Sequence, residues 1–81
     1  MNNQDWNVRE TELEKAFYFD TEANARKFLD QLRKLAKSEH HHPEVEKRSG
    51  NVVMVHIPVS GPERYEEEGI RLANLINRIA N

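Results

Sequence analysis

Cysteine is absent from the 81 residues, which removes disulfides, thiolate metal sites, iron–sulfur clusters and cysteine nucleophiles together and fits a reducing compartment. Long apolar runs are absent too. The longest, Val52 to Val55, ends at His56, far short of the roughly 20 residues of a membrane-crossing helix. The opening Met-Asn-Asn-Gln-Asp-Trp has neither the basic nor the apolar block of a signal peptide. The expectation is a cytoplasmic protein with no membrane role. Twelve basic residues against 14 acidic ones leave a net charge of −2, so there is no basic excess to attract nucleic acid. Glycine and proline number three each, too few for a linker, and a single domain over residues 1–81 is expected. Aromatics are limited to one tryptophan, two tyrosines and three phenylalanines. With 37% hydrophobic and 32% charged residues, the chain can bury only a thin apolar layer, and association with further copies is expected to help it.

What is present is periodic. Trp6 and Val8, then Leu13, Phe17 and Phe19, favour alternate positions, with Lys15 as the interruption, and this predicts two short strands joined by the polar Arg9-Glu10-Thr11-Glu12. Asp20 or Thr21 caps a following helix whose apolar positions Ala25, Phe28, Leu29, Leu32, Leu35 and Ala36 recur at three and four. Its other face carries Arg26, Lys27, Asp30, Arg33, Lys34 and Lys37, a charged set that reads as solvated surface. Pro43 disfavours helix at His42, so the helix ends near Ser38 to His40. Glu44 to Arg48 is a weak strand, and Ser49-Gly50-Asn51 is a turn whose glycine can take a positive φ. Val52 to Ile57 is a strand apolar on nearly both faces, closed by Pro58. A last helix from about Glu63 to Ala80 carries Ile70, Ala73, Ile76 and Ile79 on one stripe. The order β-β-α-β-β-α predicts an α+β two-layer domain, a four-stranded antiparallel sheet with its helices packed on one face.

One polar cluster is not explained by solvation of a helix face. His40, His41 and His42, followed by Pro43 and Glu44, put three imidazoles at a helix-to-strand junction. Histidine titrates near neutrality, with a pKa of about 6.5, so this is a candidate for general acid–base work. In a regular strand neighbouring side chains diverge, and they share a ligand only where the backbone turns. A solvated run suited to the negative end of a helix is the bland reading. A metal site is disfavoured, because the only other histidine is His56 and zinc needs at least three convergent ligands.

At this cluster the chain resembles the pterin-4a-carbinolamine dehydratase family, whose members also act as dimerisation cofactors of a homeodomain transcription factor. The resemblance is carried by Phe17-Tyr18-Phe19 at a strand end, a helix containing Ala25 and Phe28, and His41-His42-Pro43-Glu44 beyond it. Trp6, Leu13 and Ile70-x-Leu72-Ala73 extend it over roughly Trp6 to Ala80. It implies His41 and His42 as catalytic groups and Pro43, Glu44 and Ser60 as substrate-binding groups. A pterin is then the substrate, no separate cofactor or metal is expected, and a homodimer or homotetramer is. The family's third histidine falls on Ser60 or Val59, its hairpin aromatic on Ser49 or Gly50, and its acid on Gly69, next to Glu67 and Glu68. His56 differs from Val59 by an odd number of positions, which in a regular strand aims it at the opposite sheet face.

Two functions follow from the resemblance. The first is dehydration of a 4a-hydroxytetrahydropterin to the quinonoid dihydropterin. The alternative is a catalytically lapsed binding or assembly module with a protein partner. A Rubisco assembly factor is one such relative, whose second helix Ala25-Arg26-Lys27-Phe28-Leu29-Asp30 resembles.

Overall fold

A computed structural model describes residues 6–59 and 69–80. Four strands, β1 (Asn7–Val8), β2 (Glu12–Tyr18), β3 (Glu44–Ser49) and β4 (Val52–Pro58), and two helices, α1 (Glu22–Glu39) and α2 (Ile70–Ala80), follow in the order β-β-α-β-β-α. The strands form one sheet in the order β1-β2-β4-β3, every neighbouring pair antiparallel. The α+β two-layer reading is therefore the observed architecture. The expected start of the last helix at Glu63 lies outside the described residues.

Register sorts the side chains. Leu13 pairs with Ile57, Lys15 with Val55 and Phe17 with Val53, so these six share the face that the helices cover. Val53, Val55 and Ile57 are fully buried there, beneath Ala25, Phe28 and Leu32 of α1 and Leu72, Ala73 and Ile76 of α2. Trp6 meets Phe17 edge-on at 5.8 Å, and Phe28 lies 5.0 Å from both Phe17 and Phe19, so the tryptophan and the three phenylalanines are gathered in one place. The opposite face carries Glu12, Glu14, Ala16 and Tyr18 of β2 beside Pro58, His56, Met54 and Val52 of β4. No helix lies over it among the described residues. Val52 and Met54 are consequently only half buried.

The structure adds detail to three local readings. Val8 shares the parity of Trp6 yet is 68% exposed, because β1 is a two-residue edge strand that ends before the core does. Lys15 breaks the apolar alternation without leaving the inner face: its Nζ donates to Asn77 Oδ1 at 2.8 Å and lies 4.7 Å from the centre of the Phe17 ring. The positive φ expected at Gly50 occurs instead at His40, with φ 56° and ψ 35°. The Ser49–Asn51 turn reverses with a bulge between Lys47 and Ser49 and is pinned by Asn51 Nδ2 donating to the Phe19 carbonyl at 2.8 Å.

Candidate functional site

The histidine run owes its shape to the way α1 begins and ends. Thr21 accepts a hydrogen bond from the Asn24 amide at 3.1 Å and opens the helix. At the other end His40 N–H donates to Lys37 O at 3.4 Å and His41 N–H to Ala36 O at 3.2 Å. This pair of bonds reverses the chain through a left-handed residue, a position usually given to glycine. Histidine tolerates that conformation better than most side chains. Arg71 of α2 holds Glu39 at 3.1 Å and braces the same end.

The reversal sends the three imidazoles in different directions. His40 is exposed at the cap. His41 is half buried, and its Nε2 lies 3.2 Å from the Pro58 carbonyl at the end of β4. A carbonyl only accepts, so Nε2 carries the proton and Nδ1 is the free acceptor of the neutral ring. His42 and Pro43 line a groove of about 620 Å³ between α1 and the inner side of β3, a size that suits a small heterocycle. Leu29, Leu32, Ala36 and Val45 give it an apolar floor, and Arg33, Lys37 and Lys47 a cationic rim. Lys47 also reaches Glu22 Oε2 at 3.2 Å. Glu44 pairs with His56 across the sheet and so stands on the other face from Val45 and Lys47. Ser60, and Glu67 and Glu68 with it, lie outside the described residues, and Val59 is packed into the core at 9% exposure. The structure thus brings His42 and Pro43 to one groove, sets His41 at the adjoining end of β4, and separates Glu44 from both.

Sequence reading passed over a second constellation. On the uncovered sheet face His56 Nδ1 is 2.9 Å from Glu12 Oε2, and its Nε2 is 3.7 Å from Glu46 Oε1. Glu14, the cross-strand neighbour of His56, is held by Arg9 at 2.6 Å. The hydrogen bond to Glu12 holds the His56 pKa above its ordinary 6.5, and the charges of Glu12 and Glu14 act in the same direction, against the lowering effect of burial. The signal available in sequence was Glu12-x-Glu14, two carboxylates on one face of a strand. Only the register of β2 against β4 shows that His56 joins them.

These features define a two-layer α+β protein in which a histidine-bearing helix-to-strand turn opens onto a groove of small-molecule size. The family model described as pterin 4 alpha carbinolamine dehydratase matches residues 1–79, and the chain belongs to that family. Among solved structures it is similar to a transcriptional coactivator/pterin dehydratase from Brucella melitensis, with a TM-score of 0.77 and 24% identity over 95% of this chain and 83% of the other. It is also similar to a pterin dehydratase-like protein identified as a RuBisCO assembly factor in the alpha-carboxysome, with a TM-score of 0.74 and 23% identity over 94% and 87% of the two chains. At these identities the likeness establishes the shared fold. No functionally curated protein matches the sequence. No helix among the described residues is long and apolar enough to cross a membrane.

Proposed function

We propose that the protein is a hydro-lyase that dehydrates a pterin-4a-carbinolamine, with His41 and His42 as its acid–base pair. The observation that carries this reading is the left-handed turn at His40, which lays His42 and Pro43 along the groove and holds His41 by Nε2 on the Pro58 carbonyl. The reaction needs the C4a–O bond to break with a proton delivered to the departing oxygen, which leaves as water. A proton must also leave the ring nitrogen, whose electrons then form the C=N bond of the quinonoid product. One imidazolium and one neutral imidazole meet both demands near neutral pH. His41, with Nδ1 free to accept, is the base, and His42 is the acid. The apolar floor of the groove receives the flat ring system. Pro43 fixes the turn, and Ser60, following Val59, is the candidate to hold the hydroxyl. Glu44, on the other sheet face, takes no step in this scheme.

The test is the decay of the carbinolamine formed by a pterin-dependent aromatic hydroxylase. Wild-type protein at micromolar concentration is expected to accelerate the decay, and His42→Ala to lower kcat/KM by about 10²- to 10⁴-fold, the usual worth of a positioned acid or base. Decay no faster than in buffer ends the proposal. A second reading, an assembly module without turnover, is favoured by Val59, a buried apolar residue at one of the two places where the resemblance puts a third histidine. In either case the chain acts as a homodimer or homotetramer in the cytoplasm.

A further inference from the structure

We infer that Glu12, Glu14 and His56 form a binding site for a divalent transition-metal ion on the sheet face opposite the groove. One donor atom from each of the three residues lies within 4.8 Å of the others, and the backbone fixes that spacing. Glu12 and Glu14 are two apart on β2 and therefore share a face, while His56 is the direct cross-strand partner of Glu14. The donors are sheltered without being closed off: their side chains are 30%, 12% and 19% exposed for Glu12, Glu14 and His56. One imidazole nitrogen and two carboxylates form a donor set of intermediate softness, suited to zinc or cobalt and less to calcium or magnesium, which prefer all-oxygen sites. Three protein ligands leave a coordination position for water.

The surroundings favour a cation. Glu44 lies directly across from His56 on β3, and Glu46 reaches within 3.7 Å of its Nε2, so four carboxylates surround one imidazole. Arg9, whose side chain is 60% exposed, partners Glu14 at 2.6 Å. In the metal-free protein the guanidinium of Arg9 and the hydrogen shared by His56 and Glu12 occupy the places a metal takes over. Binding to protonated His56 therefore releases a proton and frees Arg9 to solvent. An ion here clamps β2 to β4, the two central strands of the sheet.

The experiment is calorimetric titration of the chelator-stripped full chain with zinc, together with the visible absorption of the cobalt form and the histidine ring resonances. The expected result is one ion per chain, movement of the His56 ring signals with those of His40, His41 and His42 unmoved, and a melting midpoint raised by roughly 10 °C at a hundredfold excess over Kd. His56→Gln and Glu14→Gln each weaken binding at least about tenfold. Arg9→Ala tightens it by removing the competing cation. His42→Ala leaves it unchanged, which separates this site from the catalytic reading. Absence of heat and of His56 shifts in the wild-type protein overturns the inference. So does zinc binding that survives His56→Gln or disappears with His42→Ala.

Discussion

Lys15 stands on the face of β2 that packs against helices, where an ammonium group would be costly without partners. Asn77 supplies one: its Oδ1 accepts from Lys15 Nζ at 2.8 Å and from Trp6 Nε1 at 3.1 Å. Asn77 is 5% exposed, and its Nδ2 has no hydrogen-bond partner among the described residues, so its value lies in the oxygen. Asn77→Leu, similar in volume, strands the indole N–H and is expected to cost about 2 kcal/mol. A thermal melt would show a midpoint lower by roughly 10 °C, and an unchanged midpoint would mean that the two donors find other acceptors. His40 offers the opposite case. Its left-handed φ of 56° strains any side chain with a Cβ, so His40→Gly is expected to stabilise by about 0.5–1 kcal/mol in urea unfolding, while His40→Val destabilises. Because His40 takes no part in the proposed chemistry, its glycine variant is expected to match the wild type in the carbinolamine-decay assay.

Strand β4 connects the two faces. Its odd-numbered residues Val53, Val55 and Ile57 are the floor of the core, and His56 between them faces carboxylates of both neighbouring strands. The sign of the resulting pH dependence follows from the raised His56 pKa. A group that binds its proton more tightly in the folded chain contributes stability in full below its unfolded value, about 6.5, and loses it as pH rises through the higher folded value. In chelator, the stability difference between wild type and His56→Gln is expected to be largest near pH 5.5 and to shrink above neutrality. Urea midpoints across that range provide the check, and a difference that grows with pH would contradict the pairing of His56 with Glu12. The hairpin of β3 and β4 also sets the face of Glu44: as the first residue of β3 it pairs with His56, on the side of the sheet away from the groove that His42 lines.

At the scale of the molecule, the two helices and four strands among the described residues leave the groove beside β3 open and place no described element over the outer sheet face. The outer face is divided. Carboxylates surround His56 at one end, while Ala16, Met54, Val52 and Tyr18 form an apolar strip at the other. Tyr18 is 77% exposed, and contiguous apolar surface open to water is where protein contacts form. Sedimentation at tens of micromolar is expected to give a mass above the 9.5 kDa monomer, and Tyr18→Glu to shift it downward. A monomer at that concentration would remove the basis for an oligomeric protein.

The sequence alone determined the element order, the ends of α1 and the shared parity of Leu13 and Phe17, because these depend on local periodicity, capping and the restriction Pro43 places on its predecessor; which face of the two-sided apolar β4 turns inward was left to the register with β2. It also pointed to the histidine run. It did not show that His40 would carry the left-handed turn and send His41 and His42 to different neighbours, nor that Glu12 and Glu14 would meet His56. Those outcomes depend on strand register and on where the second helix packs, and both join residues about 40 or more positions apart. No local pattern encodes such contacts; they become fixed only when burial of the core selects one alignment of β2 on β4, since a slip of one residue would turn every apolar side chain outward.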